Sequence, residues 1–403
     1  MKTKHAITVK NRWTVSIALT SLTLLGSTSS AFAFVGPQPM PHHDQTIRGL
    51  HTISVVSSTV DPSNGDQNPY GVAISPKGGL FVSNFSNAAG VNGAGTTIEQ
   101  IVNGKPVPFF SDANGPAGMA FSPLGPLWIA NFGQSSTTGN VQVIKPNGTA
   151  FPNGYSVITN PSIQGPWGQA FAGSYTMANG TVVPPAFFVT SVLNGSIEAM
   201  YGFSPPKFST DTKVAVIASG LAHNGTTASN VSGPQGMVWS AKTHTLYVTD
   251  SADNSVRAYQ WNGPDTINQG TGTIVYQGAP LNMPAGIALN PLNGDLLIVN
   301  QGNNQLVELR LNPTMPAPLA HPLNKMPQPP MLLQNGGMLH LPQGPQLAHV
   351  VGVRTLDRTP VNPQTGAGSA LFGVAASTNA DGHLVVYFTD DNTNTLDMLS
   401  AGH

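Results

Sequence analysis

The residues that could do chemistry are few and widely spread. Glutamate occurs three times, at Glu99, Glu198 and Glu308. General acid–base work needs a carboxyl singled out in a cleft, within reach of the proton it moves. These three instead fall in one slot of a recurring third strand, shared with Gln142, Arg257 and Asp397. A polar residue repeated at one slot predicts the outward face of a half-buried strand, and no catalytic residue is expected there. His321, His340 and His349 could hold copper or zinc from one long loop, but their spacings of 19 and 9 match no metal motif. His223, His244 and His383 fall in turns of separate repeats, and the adjacent His42 and His43 read as a solvated terminus. The chain has no cysteine, which removes thiolate metal sites, cysteine nucleophiles and disulfides together. No nucleophile elbow, phosphate loop or dinucleotide fingerprint is present either. No metal and no cofactor is expected.

Two other sets recur by position. Tyr70, Ala117, Trp167, Gln235, Ala285 and Phe372 each precede the glycine that opens a repeat. Asn84, Asn131, Ser191, Asp250, Asn300 and Asp390 each end a second strand. The second set could coordinate an ion. Short Asx and Ser side chains also start turns by accepting from backbone amides two residues on, and that role is expected of them here.

The elements that position these residues are one unit repeated. Gly233–Tyr259 (GPQGMVWSAKTHTLYVTDSADNSVRAY) shows it plainly: a Pro-x-Gly turn, an apolar strand, a polar connection, a second apolar strand, a turn and a third strand. It recurs as NPYGVAISPKGGLFVSN, GPAGMAFSPLGPLWIAN, GPWGQAF with AFFVTS, MPAGIALNPLNGDLLIVN and LFGVAASTNADGHLVVYFTD. The opening glycines Gly71, Gly118, Gly168, Gly236, Gly286 and Gly373 are 47, 50, 68, 50 and 87 residues apart. Such a period marks a propeller or solenoid. Asn-Gly pairs, as at Asn103-Gly104, supply hairpin turns between antiparallel strands. The two long intervals hold extra hairpin material at Ala172–Pro185 and Ser204–Thr212, and a Pro- and Met-rich insertion following the fifth repeat near Asn312–Gln346.

The last repeat reaches only a third strand, Thr395–Ser400, before the chain stops. An orphan strand rich in β-branched residues, HTISVVSSTV, precedes the first repeat near Ile53–Val60. Pairing the two leaves no open edge. The fold expected is therefore all-β, a six-bladed β-propeller over residues 51–403, closed by an N-terminal strand in the last blade.

Residues 1–33 read as a secretory signal peptide, with Lys2, Lys4, Lys10 and Arg12, the apolar run Val15–Leu25, and Ala31-Phe32-Ala33 as cleavage site. Residues 34–50 form a Pro-rich lead-in. The expected address is exported, periplasmic or extracellular, with no membrane span after cleavage. Removing the leader leaves 370 of the 403 residues at a charge of −5, because it carries four of the 16 basic residues and no acid. That balance excludes a nucleic-acid partner. Charged residues make up 8% of the chain, against about a quarter in ordinary domains. An acidic environment, where carboxylates lose their charge, is one reading of that figure.

The unit of Pro-x-Gly-apolar, then leucine-aromatic-valine-x-Asp/Asn, then a polar turn resembles the NHL repeat of six-bladed propellers, over nearly the whole mature chain. The resemblance implies a propeller family of sensors, scaffolds, lyases and lactonases. Calcium-dependent lactonases carry Asn or Asp at positions like the six before the opening glycines, whereas this chain offers only Gln235 there. The lyase-type relatives use histidine at the channel, and none stands here. The expected function is accordingly a non-catalytic, monomeric propeller that binds a protein partner or small ligand at one face. The contacts would be Tyr70, Trp167, Gln235 and Phe372 at the channel mouth, with Met315, Met326, Met331 and Met338 of the insertion. The alternative is a lyase- or lactonase-like enzyme with a metal-assisted site in the channel.

Overall fold

In a computed structural model, which describes residues 45–133, 138–312 and 346–402, the described chain forms six four-stranded antiparallel sheets and one small hairpin. Four sheets are meanders of consecutive strands, the third blade has the small hairpin inserted between its first two strands, and the sixth blade takes its outermost strand from the N-terminal end of the described chain. The innermost strands are Gln67–Ile74, Pro116–Phe121, Pro166–Ala172, Pro234–Ser240, Pro284–Leu289 and Leu371–Thr378. Each touches the innermost strand of the next blade, and the sixth returns to the first. This is a six-bladed β-propeller.

The opening glycines make the ring possible. A Cβ on Gly71, Gly118, Gly168, Gly236, Gly286 or Gly373 would lie no farther than 2.5 Å from the carbonyl oxygen of Ala117, Trp167, Gln235, Ala285, Phe372 or Tyr70, respectively. Each of these oxygens belongs to the residue just before the next blade's own glycine. Any side chain here would push neighbouring blades apart, so glycine is required by close approach of backbones. Hydroxyls on the second strands tie the same junctions. Thr190 accepts from Gly168 N at 2.7 Å and donates to Gln235 O at 2.7 Å. Ser83 does the same between Gly71 N and Ala117 O, and Thr249 donates to Ala285 O.

Apolar side chains fill the spaces between blades, as when Trp128 of the second blade stacks on Phe187 of the third at 4.0 Å. Alternation along each strand sends one set of side chains toward each neighbouring blade, which is why the second strands are buried on both faces. The junction of the sixth and first blades has a small core, with Val82 and Leu396 fully buried beside Val72.

Closure occurs as expected. Thr52–Ser58 lies antiparallel to Thr395–Ser400, with Ile53 opposite Leu399 and Val55 opposite Asp397. Among the described residues no helix is long and apolar enough to cross a membrane.

Two expectations change. Ala172–Pro185 does hold a hairpin, Tyr175–Thr176 with Val182–Val183, but Ser204–Thr212 contains the one-turn helix Phe208–Asp211. Pro205 and Pro206 have no N–H to give a ladder. Phe208 instead buries itself against Trp128 and Phe151. The long insertion, rather than following the fifth blade, interrupts it between its third strand, Gln305–Leu311, and its fourth, Ala348–Thr355. Most of it lies outside the described residues, with Met315, Met326, Met331, Met338, His321 and His340, as do the leader and the lead-in up to residue 44.

Candidate functional site

Of the six residues before the opening glycines, Tyr70, Ala117, Trp167 and Phe372 line one cavity in the channel. The Tyr70 ring stacks on Phe372 at 3.9 Å and on Phe85 at 4.2 Å. Trp167 stands 5.4 Å from both Tyr70 and Phe85, and Phe132 meets Trp167 edge-on at 5.8 Å. Gln235 lies apart from these rings and accepts from Gln301 Nε2 at 2.6 Å. Tyr70 and Trp167 are each 7% exposed, under a cover of Val192, Leu193, Ala228 and Val231, while Phe372 is half-buried. Much of the aromatic set therefore packs the mouth.

A set missed in the sequence completes this rim: the residues immediately after the second-strand Asx and Ser slot. They are Phe85, Phe132, Val192, Ser251, Gln301 and Asp391. Reading the repeats one position further would have found them. Together the two sets divide the mouth. Blades one to three contribute Tyr70, Phe85, Phe132, Trp167 and Val192, all apolar or aromatic. Blades four to six contribute Gln235, Ser251, Ala285, Gln301 and Asp391, with Phe372 at the boundary, so the polar side chains of the two sets other than Tyr70 fall there.

Asp391 is the ionisable group on the polar side. Burial, and then the charge of Asp390, push its carboxyl up to about 7. With its amide turned so that Nδ2 faces the carboxylate, Asn68 donates to Asp391 Oδ1 at 2.7 Å. Asn68 itself has φ 65°, a left-handed conformation that asparagine tolerates. Burial pushes the Tyr70 phenol far above its ordinary value, so it remains a neutral hydroxyl.

The channel holds a cavity of about 110 Å³, lined by Tyr70, Trp167 and Phe372 together with Val72, Met119, Met237, Ile287 and Val374. The amide of Gln169 lines it, 6% exposed, with neither its nitrogen nor its oxygen hydrogen-bonded. At about 30 Å³ per molecule, this space suits a few waters. On the opposite face, between blades four and five, lies a groove of about 830 Å³ with Lys242, Tyr247 and the Arg310–Asp295 ion pair. Asn290 and Asn293 on its rim hold the Gln45 carbonyl, and Asn312 leads into residues 313–345. It is a junction where chain segments meet the ring.

The glutamate expectation is corrected on two counts. Glu99 and Glu198 share a slot, opposite Val82 and Val189, but Glu308 lies opposite Leu297 and is one residue out of step. Nor is the slot exposed. All three glutamates, together with Gln142, Arg257 and Asp397, are buried. In the second and third blades this slot faces the end of the neighbouring second strand: Asn131 Nδ2 donates to Gln142 at 2.9 Å and Ser191 to Glu198 at 2.7 Å. The turn role holds for Asp250 and Asp390, which accept from Ala252 N and Thr393 N. Asn84 and Asn300 instead use their Nδ2 to hold the Thr59 and Pro280 carbonyls.

The described histidines stay apart. His223 contacts Leu221 O, His244 stacks on Tyr175, and His349 meets Asn312. Among the described residues no three His, Asp or Glu gather as a metal set. At the six positions before the opening glycines, Gln235 alone carries an amide oxygen, and that oxygen already accepts from Gln301 Nε2.

No family model matches the chain, and no curated protein sequence matches it. Solved structures do. A periplasmic gluconolactonase from Pseudomonas aeruginosa is 16% identical, over 88% of this chain and 97% of that one, with a TM-score of 0.46. A gluconolactonase from Xanthomonas campestris is 11% identical over 86% and 88%, with a TM-score of 0.45. A protein of unknown function from Bacteroides thetaiotaomicron is 11% identical over 86% and 75%, with a TM-score of 0.48. The propeller assignment rests on this chain's own six sheets, and the NHL label on the repeat residues alone.

Proposed function

We propose that this is an exported propeller that binds a small, uncharged ligand with one apolar face at the channel mouth. The supporting observation is the division of the rim: aromatic and aliphatic over blades one to three, amide, hydroxyl and carboxyl over blades four to six. Such a rim suits a ligand whose ring or chain lies against Phe372 while its polar groups meet Gln301 and Asp391. Export rests on the basic, apolar and small-residue pattern of residues 1–33. The test is a thermal-shift screen of sugars, sugar lactones and aromatic acids, followed by calorimetry on hits. Affinity should fall at least tenfold in Phe372→Ala and in Asp391→Asn. Hits whose affinity neither substitution alters would sink the reading.

A second reading is favoured by Asp391 alone. A carboxyl near 7, beside a hydrogen-bonding amide, can act as general base toward water attacking a neutral ester or lactone. Gluconolactone is the first substrate to try, since two of the matched structures are described as gluconolactonases. Turnover that survives a chelator and is lost in Asp391→Asn would favour the enzyme. Binding without turnover would favour the binder.

A further inference from the structure

Each opening glycine is followed by a residue that lines the channel cavity: Val72, Met119, Gln169, Met237, Ile287 and Val374 in blade order. Five of the six are apolar. The third blade alone puts an amide there, on its innermost strand Pro166–Ala172. The backbone of Gln169 lies in the ladder opposite Val189, as the fold requires, but the fold makes no such use of its side chain. Gln169 is 6% exposed, and neither Nε2 nor Oε1 has a hydrogen-bond partner.

A methionine or a valine would fill this position, as in the sister blades, without leaving a buried donor and acceptor unmet. Burying an amide without hydrogen bonds is costly. Gln169 borders the open cavity of about 110 Å³, so its partner can come from outside the chain. Waters can enter and meet the amide. A buried water is well held when it has two to four polar partners, and the five sister side chains offer it none. Waters so loosely held are readily displaced.

The chemistry of the occupant follows from what Gln169 lacks. Its Nε2 calls for an acceptor and its Oε1 for a donor, side by side on one planar group. A primary carboxamide presents that pair and closes two hydrogen bonds in a ring with the glutamine. A carboxylic acid presents it only when protonated. At neutral pH it is an anion, and no charged side chain lines the cavity to receive it. At about 30 Å³ for each water-sized group, the space admits a head of about four heavy atoms. Tyr70, Trp167 and Phe372 line the same cavity and suit a flat, apolar remainder.

We propose that Gln169 is the specificity-determining residue of the channel, and that the ligand it selects carries a primary carboxamide. The carboxamide enters head first, and the apolar body of the ligand lies against the aromatic wall. This inference rests on the reading of the mouth as a ligand site and narrows that reading to one class of molecule.

The test uses the full purified chain at neutral pH and three molecules of similar shape: benzamide, acetophenone, which lacks the N–H donor, and benzoate, which is charged. Calorimetric titration should give one site for benzamide, with acetophenone and benzoate weaker by about tenfold or more. That comparison needs no variant to fold. Gln169→Met installs the residue that the second and fourth blades carry here. In it benzamide should lose its advantage over acetophenone, while the thermal midpoint stays level or rises. Wild type that binds benzamide no more tightly than acetophenone or benzoate overturns the inference, and so does a preference that survives Gln169→Met. Absence of benzamide binding overturns it too, whatever the screen of sugars, lactones and aromatic acids returns. Benzamide affinity that falls in Phe372→Ala but not in Gln169→Met removes this inference and leaves the mouth standing as a ligand site.

Discussion

Replacing Glu198 by glutamine should flatten the dependence of stability on pH. The carboxyl is fully buried in the third blade, ringed by the hydroxyls of Ser162, Ser191 and Ser196. Burial outweighs those hydrogen bonds and moves its pKa from 4.5 up to about 7. A folded-state value raised above the unfolded one means that the native protein holds this proton more tightly. The stability it confers is complete below about pH 4.5 and is lost as the pH climbs through about 7. Raising a carboxyl from 4.5 to about 7 corresponds to about 3 kcal/mol. Asp250 and Asp391, both raised to about 7, and Asp397, raised to about 6, act in the same direction. Wild type should therefore be more stable at pH 4.5 than at pH 8, the reverse of a protein held by surface ion pairs. Urea unfolding followed by tryptophan fluorescence across that range gives the profile. In Glu198→Gln the decline should be smaller by up to about 3 kcal/mol. Parallel profiles for the two proteins, or a wild type that gains stability toward pH 8, would refute the reasoning.

Two further outcomes follow from the ring. Gly168→Ala places a methyl group against the Gln235 carbonyl and should cost about 2–3 kcal/mol in urea unfolding, with a loss under 0.5 kcal/mol counting against the close-approach argument. Deleting Thr52–Ser58 exposes the edge of Thr395–Ser400, so the shortened chain should scatter light and oligomerise at concentrations where wild type is monodisperse by gel filtration.

Much of the architecture was legible because one unit states it six times. The Pro-x-Gly turn, the apolar run of the second strand and the Asx slot are local, and local signals survive translation into sequence. The missing fourth strand and the orphan near Ile53 were legible together, since an unpaired edge is costly wherever it lies. What escaped was set by contacts between blades. The buried face of the third strand looks polar in sequence because its partners are Asn131 or Ser191 on the adjacent strand, not water. Glu308 seemed in step with Glu99 because spacing alone does not register a shift of one residue between ladders. The rim formed by Phe85, Phe132, Gln301 and Asp391 was hidden for a simpler reason. Those positions vary between repeats, and a search for what recurs passes over what differs.

The pairing of Thr52–Ser58 with Thr395–Ser400 also carries a message about biogenesis. A polypeptide made from its amino end produces Thr52–Ser58 before, and Thr395–Ser400 after, every other described strand. Until Thr395–Ser400 has been made, Thr52–Ser58 has no ladder to join, and the sixth blade cannot be completed by neighbours already made. The nascent molecule must either stay open as a crescent or be guarded by a holding factor throughout synthesis. Proteases that probe unfinished chains would find their opening there, at the joint whose sealing depends on the first and the last described strand together.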